Sequence, residues 1–172
     1  MYDKISQILR KFFKPSSLFK VMFNISPMYS RSTAKILSIS DNLYEVRIII
    51  PLSYKNRNYV GTIFGGSLFS ATDPIYMVQL IQILGKEFVV WDKNSTIQFK
   101  RPANSNAYAL FCFSEEEIQQ IKADVIRDGA IDFVKSLNIT NKEGDTIFAQ
   151  VEKTIYIATK EYYSQRKKQK QS

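Results

Sequence analysis

The feature that most constrains the fold of this chain is an apolar stretch from Phe64 to Gly85 that carries a single charge, Asp73. Serine, threonine, glutamine and proline residues interrupt the stretch, which is not typical of a membrane span. It predicts one long helix that is buried on nearly every side. Because such a helix needs strands to cover it, we expect an α+β fold with an antiparallel sheet wrapped around it. An α+β sandwich of another kind is the alternative.

Segments with strand character flank this helix. Alternating or β-branched runs bounded by turn residues predict strands at residues 33–39, 43–50, 88–99, 107–113, 131–139 and 146–158. Ser114 and Glu117 match a capping box and predict a second helix that extends to about Arg127. Helical spacing within residues 1–23 predicts an extra N-terminal amphipathic helix, which lies either on the domain or on a membrane surface.

Chain length and charge distribution define the expected domain organisation. The 172 residues fit one domain, placed at 33–159, with a helical extension at 1–32 and a basic, disordered tail at 160–172. The net charge of +8 is divided between residues 1–23 and 160–172, each +4, while the part between them is neutral. A basic groove for nucleic acid would belong to the folded body, so we expect no nucleic-acid partner.

The cysteine and histidine counts exclude several classes of site. The single cysteine, Cys112, rules out a disulfide framework and suits a reducing compartment. The N-terminal residues have neither the apolar core nor the cleavage site of a signal peptide, so a cytoplasmic location without membrane association is expected. The chain contains no histidine, which excludes imidazole bases and the usual zinc sites. We therefore expect no metal and no cofactor.

Two positions on the apolar helix have chemical potential. Burying an unpaired carboxylate costs several kcal/mol, so Asp73 is a site candidate; alternatively it marks a helix break, since Pro74 removes an amide donor. Gly65 and Gly66 stand where the loop becomes the helix and expose amide donors at the positive end of the helix dipole. Such a start can form an oxyanion hole, although many glycine pairs of this kind are only turns.

The spacing of these residues is similar to a known signature. Asn58 is followed by Gly61-Thr62, one apolar residue, Phe64-Gly65-Gly66, and then Asp73 seven residues later. This order resembles the hotdog-fold acyl-CoA thioesterases of the phenylacetyl-CoA and human-type branch, where His-Gly-Gly precedes an Asp or Glu on the helix. Residues 94–102 also resemble the third strand of that family, and residues 57–93 are most similar to an uncharacterised bacterial branch.

The resemblance implies a hotdog fold and hydrolysis of an acyl-CoA or similar acyl thioester, with coenzyme A present as part of the substrate. It also implies a homodimer or a dimer of dimers. By the same resemblance Asp73 is the general base or nucleophile, Gly65 supplies the oxyanion amide, and Asn58 orients water or the thioester. Asp92 stands where relatives carry a water-holding serine. The implied substrate-binding residues are Gly66, Phe64, Lys100 and Arg101.

Several departures from the family pattern keep other interpretations open. Phe64 replaces the usual histidine, and Pro74 follows the aspartate. Asp92 is charged where relatives are neutral, so it either shares a proton with Asp73 or pairs with a nearby cation: Lys93, Arg57 or Arg101. Lys100 and Arg101 either meet the phosphates of coenzyme A or form a solvated turn. The alternative function is therefore a non-catalytic acyl-thioester or lipid-binding hotdog protein.

Overall fold

The protein is described by a computed structural model that covers residues 14–169. The predicted N-terminal amphipathic helix falls mostly on residues 1–13 and lies outside the described residues. The helices that the structure describes are α1 (Pro15–Ile25), α2 (Pro27–Ser30), α3 (Gly65–Thr72), α4 (Ile75–Leu84), α5 (Glu115–Asp128) and α6 (Lys160–Gln169). The strands are β1 (Lys35–Ile39), β2 (Glu45–Ile50), β3 (Phe88–Phe99), β4 (Ala107–Cys112), β5 (Ala130–Thr140) and β6 (Ile147–Thr159).

The strands form one six-stranded sheet in the order β1-β2-β4-β5-β6-β3, and every neighbouring pair is antiparallel. Helix α3 contacts β2 and β6, whereas α4 contacts β3, the last strand of the order. The two consecutive helices thus touch strands from both halves of the sheet, as expected if the sheet curves around them. This is the predicted antiparallel sheet around a central helix.

The central helix is interrupted where a single long helix was predicted. It consists of α3 and α4, separated by Asp73 and Pro74, although both residues keep helical backbone angles. The physical reason is Pro74, which has no amide hydrogen to donate to the carbonyl four residues before it. Apolar residues on both halves are fully buried, among them Ala71, Ile75 and Leu80. The interruption therefore leaves both halves in the core and places Asp73 at the break between α3 and α4.

The two edges of the sheet differ in how they are covered. Asn24 of α1 forms two hydrogen bonds with the backbone of Ile36 on edge strand β1, at 2.8 and 3.1 Å, in the manner of a neighbouring strand. At the opposite edge, β3 pairs with β6 along its length, and no segment within residues 14–169 pairs with its outer side. A free edge of 12 residues is a template for pairing with another chain.

The C-terminal part of the chain differs from the disordered tail expected at 160–172, because residues 160–169 form helix α6. Glu161 in its first turn and basic residues in its last turn complement the helix dipole. The amide of Lys160 donates to the carbonyl of Glu87, and the ring of Tyr162 lies over Gly129, leaving no room for a Cβ there. Helix α6 is thereby docked against β3 and β6.

Candidate functional site

The helix start at Gly65 opens into a cavity of about 440 Å³. Its lining includes Asn58, Gly65, Lys100 and Arg101, four of the residues predicted to form the site. The first amide hydrogen bonds at this helix start run from Ser67 and Leu68 to the carbonyl of Phe64, so the amides of Gly65 and Gly66 have no acceptor within the helix. Of the two glycines, Gly65 lines the cavity, and its amide has no acceptor within residues 14–169.

Both glycines at this helix start are covered by phenylalanine rings. A Cβ on Gly65 would lie 2.7 Å from Cζ of Phe99, and a Cβ on Gly66 would meet the ring of Phe64. Both rings are more than half exposed, with exposed fractions of 58% for Phe99 and 59% for Phe64. Glycine is required here for the close approach of these rings, and the rings partly shield the helix start from solvent.

The side chain of Asn58 stabilises the loop that leads into the cavity through hydrogen bonds. Its side-chain oxygen accepts hydrogen bonds from the amides of Val60 and Thr62, both at 3.1 Å, and its amide nitrogen donates to the Thr62 hydroxyl at 2.9 Å. Gly61 lies in the same turn with a φ of +87°, a backbone conformation that favours glycine. Most of the hydrogen bonds that the Asn58 side chain can form are thus made within the loop. One hydrogen of its amide group remains for a ligand.

The carboxylates lie elsewhere, in a cluster whose cation is Lys153 and not Lys93, Arg57 or Arg101, the partners that the sequence suggested for Asp92. Lys153 of β6 is fully buried, and its ammonium group contacts Oδ1 of Asp73 at 2.8 Å and Oδ2 of Asp92 at 3.0 Å. It also donates to the backbone carbonyl of Asp73 at 2.8 Å. These three acceptors match the three hydrogens of an ammonium group. We call Asp73, Lys153 and Asp92 the carboxylate–lysine cluster.

The sequence contained a signal for Lys153. The inward face of β6 consists of alternate residues, and Ala149, Val151, Ile155 and Ile157 on this face are fully buried. Lys153 occupies the same face in the same alternation. Lysine is almost never fully buried unless it is paired. The alternation therefore indicates an acidic partner for Lys153 but does not identify it.

The two carboxylates of the cluster differ in environment. The Asp73 side chain is 52% exposed, and Oδ1 is the oxygen that contacts Lys153. The Asp92 side chain is 22% exposed, and its Oδ1 is buried without a hydrogen-bond partner within residues 14–169. Burial raises the pKa of Asp92, the Lys153 hydrogen bond and charge oppose that rise, and the charge of Asp73 adds to it. Asp92 is therefore the carboxyl group more inclined to hold a proton.

The structure thus divides the predicted site residues into two groups. Asn58, Gly65, Lys100 and Arg101 line the cavity at the helix start, with Phe64 and Gly66 next to it. Asp73 and Asp92 belong to the carboxylate–lysine cluster instead. Gly65 and Asp73 are eight residues apart along the helix, which corresponds to about 12 Å. Within one chain, the oxyanion donor and the carboxylate predicted to serve one carbonyl are therefore not adjacent.

Two general properties bear on function. Within residues 14–169, no group of three His, Cys, Asp or Glu side chains is placed to hold a metal ion. In that same part of the chain, no helix combines the length and the apolar character needed to cross a membrane.

Solved structures with a similar fold support the architecture. A Pseudomonas aeruginosa protein of unknown function, described as a probable thioesterase, has a TM-score of 0.73 and 19% identity, covering 83% of this chain and 95% of that one. A Chlorobaculum tepidum protein of unknown function has a TM-score of 0.67 and 21% identity, covering 83% and 93%. A Haemophilus influenzae thioesterase has a TM-score of 0.58 and 13% identity, covering 82% and 88%. The predicted hotdog fold is confirmed.

Comparison at the level of sequence gives the family. No curated protein matches this chain. A family model described as a domain of unknown function, DUF4442, matches residues 16–157, which include the whole sheet apart from the end of β6. The match takes in both the cavity at the helix start and the carboxylate–lysine cluster, and the chain belongs to the DUF4442 family.

Proposed function

We propose that this protein hydrolyses an acyl-CoA or a similar acyl thioester to the free acid and the thiol. The observation that carries the proposal is the helix start at Gly65, whose unpaired amide opens into a cavity of about 440 Å³ in a hotdog fold. An amide donor in that position suits the negative oxygen that forms when a thioester carbonyl is attacked. Lys100 and Arg101 at the rim of the cavity suit the phosphates of coenzyme A.

The carboxylate–lysine cluster supplies the group that activates water or attacks the carbonyl. Asp73 keeps one oxygen on Lys153 and its side chain is half exposed, so it can take a proton from an attacking water or form an acyl anhydride itself. The bond from the carbonyl carbon to sulfur then breaks, and the thiolate leaves. In the anhydride route, water afterwards cleaves the anhydride, which releases the free acid and restores Asp73. Asp92 contacts the same ammonium group of Lys153 and so helps to position it against Asp73.

The site is completed by a second subunit in this proposal. Gly65 and Asp73 of one chain are too far apart to serve one carbonyl, and the outer edge of β3 is free. Antiparallel pairing of two β3 strands, in a register that sets Asp92 of one strand opposite Phe99 of the other, would bring these two residues together. Since Phe99 covers Gly65, this places the carboxylate–lysine cluster of each subunit towards the helix start of the other.

A mixing experiment tests this assembly. Asp73→Asn removes the carboxylate of the shared site, and Gly65→Ala impairs the helix start by pushing the Phe99 ring into the cavity. Mixed dimers of the two impaired variants retain one intact site and should recover part of the activity. Light scattering of the wild type should give twice 19.9 kDa or a multiple of it. A monomer that hydrolyses thioesters, or mixtures without recovered activity, would contradict the shared site.

The activity itself is tested with a free-thiol assay on a panel of acyl-CoA thioesters. Asp73→Asn should lower kcat by about 100-fold or more, as is typical of losing a catalytic acid or base. Asp41→Asn is the matched control, because Asp41 forms an exposed ion pair with Lys14. Absence of thiol release on every substrate, or an unchanged kcat in Asp73→Asn, would refute the proposed hydrolysis.

A second function is favoured by one observation. Phe64 occupies the N-cap of α3 with no side-chain hydrogen bond to the helix and places an apolar ring over Gly66. A protein that binds acyl thioesters without cleaving them needs the cavity but not a polar group at this position. Binding of an acyl-CoA without thiol release, together with turnover in Phe64→His, would support that alternative.

A further inference from the structure

A second cavity lies beside the carboxylate–lysine cluster, on the C-terminal side of the fold. It has a volume of about 410 Å³, within the range of about 300–1,000 Å³ that is usual for small-molecule sites. Strands β3 and β6 and helix α6 form its walls, and it is lined by Trp91, Asp92, Lys93, Tyr156, Tyr163, Arg166 and Lys167. We call it the α6 cavity. Helix α6 lies beyond residues 16–157, the part that matches the family model.

The lining combines aromatic rings with cations. Trp91 and Tyr156 are register partners on β3 and β6, so their rings share one face of the sheet. Tyr163, Arg166 and Lys167 are three and four residues apart on α6 and therefore lie on one side of that helix. The fractional exposure of Trp91 is 55%, which leaves much of its ring open to a ligand.

The charges of the α6 cavity favour an anion. Lys93 is held by Asp132 at 2.5 Å, whereas Arg166 and Lys167 form no ion pair with any residue in the described part of the chain. Asp92 is the one acidic residue of the lining, and burial raises its pKa. Arg166 and Lys167 stand on the helix side of the cavity, and Trp91 and Tyr156 stand on the sheet side.

We propose that the α6 cavity binds a nucleotide, with its base against Trp91 and its phosphates on Arg166 and Lys167. Stacking on an aromatic ring and charge-assisted hydrogen bonds to phosphate are the two contacts by which such a group is bound. Two sources have this chemistry: the nucleotide end of coenzyme A and a free nucleotide. The first rests on the proposed thioesterase function and places the nucleotide phosphates here instead of on Lys100 and Arg101. Because Asp92 belongs to both the cavity and the carboxylate–lysine cluster, a ligand in the cavity lies next to that cluster.

The chain contains a reporter for this site, because Trp91 is its single tryptophan. Adenosine 3′,5′-bisphosphate, ADP, coenzyme A and pantetheine are titrated into the full-length protein while Trp91 fluorescence is measured. We expect quenching by adenosine 3′,5′-bisphosphate and coenzyme A, and none by pantetheine, which has no nucleotide. Quenching by ADP at lower concentrations than coenzyme A would support the same site and assign it to a free nucleotide.

Variants with equal changes in charge test the contacts. The double variant Arg166→Ala/Lys167→Ala should weaken binding about tenfold or more, since it removes both phosphate contacts. Lys160→Ala/Lys168→Ala removes the same charge from the same helix at positions that do not line the cavity, and it should bind like the wild type. Circular dichroism checks that both variants keep the fold. Calorimetry with Trp91→Ala and Trp91→Phe should show weaker binding for the alanine variant.

The proposal is overturned if no nucleotide quenches Trp91, or if both double variants bind equally well. Its outcome is separable from that of the proposed hydrolysis. Quenching without thiol release would leave the nucleotide site and remove the thioesterase function, whereas thiol release without quenching would do the reverse.

Discussion

The buried ammonium of Lys153 makes the sharpest test of the carboxylate–lysine cluster, through the variant Lys153→Met. Methionine has a similar length and is apolar, so it fills the position without leaving a large cavity. What it removes is the cation shared by Asp73 and Asp92. Breaking a buried ion pair from one side typically costs 3–5 kcal/mol. Asp73 is half exposed and can be hydrated, so it contributes little to the loss of stability. We therefore expect the free energy of unfolding to fall by roughly 3 kcal/mol, mainly because Asp92 loses its cation.

The loss should depend on pH. Burial holds the pKa of Asp92 above the ordinary value of 3.8, so the folded state keeps its proton to a higher pH than the unfolded chain does. The contribution of this group to stability therefore decreases as the pH rises above about 4. Without Lys153 to oppose it, burial raises the pKa of Asp92 further. The variant should thus lose more stability relative to the wild type at pH 8 than at pH 5.

Thermal unfolding measured at both pH values checks this reasoning. A loss of roughly 3 kcal/mol corresponds to a decrease in Tm of about 6–12 °C for a domain of this size. Lys135→Met is the matched control, because Lys135 on β5 forms an ion pair with Glu117 at the partly exposed surface. The pKa of Glu117 is lowered: partial burial would raise it, but its contacts with Lys135 and the Ser114 amide outweigh that. The stabilisation from this pair is present above about pH 4.5 and should change little between pH 5 and 8.

The prediction has a clear contrary outcome. If Lys153→Met unfolds at the wild-type temperature at pH 8, or if its deficit is the same at both pH values, Lys153 does not neutralise Asp92. Adding Asp92→Asn to Lys153→Met provides a second check, since it removes the uncompensated charge and should restore part of the stability.

Further predictions concern single positions. Gly65→Ala should keep the fold, because the exposed Phe99 ring can move, but it should lower kcat by pushing the ring into the cavity, as thiol release would show. Asp92→Ser should retain turnover in the thiol-release assay, because Asp73 keeps its contact with Lys153. Phe64→His should leave kcat unchanged or slightly raised, since the backbone amide donates to the oxyanion. Ser114→Ala should cost about 1 kcal/mol of stability, measured by urea unfolding, because it breaks the capping box.

The main elements of the fold were predictable because local patterns and tertiary packing agree. The strand predicted at 88–99 is the observed β3, and the capping box of Ser114 and Glu117 opens α5. The apolar character of residues 64–85 predicted burial on nearly every side. The structure confirms it for one face, which includes Leu68, Ile75 and Leu80, whereas Phe64 and Ile81 are exposed. The break at Asp73 and the docking of α6 were less accessible. The helix break could not be predicted because the sequence allowed both an interrupted and a continuous helix. The docking of α6 depends on the contact of Tyr162 with Gly129, two residues that are distant in sequence.

The candidate site was predictable only in part. The family-like spacing marked Asn58, Gly65 and Asp73. It did not show that Gly65 and Asp73 lie too far apart along the helix to act on one carbonyl within one chain. The pairing of Asp73 with Lys153 could not be predicted, because the two residues are 80 positions apart in sequence. Their contact requires the register of β6 against β3, which includes an irregularity between Asp92 and Asn94.

The cost of burying Lys153 itself indicates a role for the cluster. An isoleucine or valine at this position would continue the apolar face of β6 formed by Val151 and Ile155, and replacing a buried ion pair by apolar residues is often neutral or stabilising. The cluster is thus not needed to fill the core. It has one cation for two carboxylates, and the unpartnered Oδ1 of Asp92 is the atom best placed to carry a proton. When Asp92 holds that proton, the Lys153 ammonium is left to Asp73. The cluster therefore keeps a cation beside the Asp73 side chain at the break in the central helix, where the proposed hydrolysis requires a base or nucleophile.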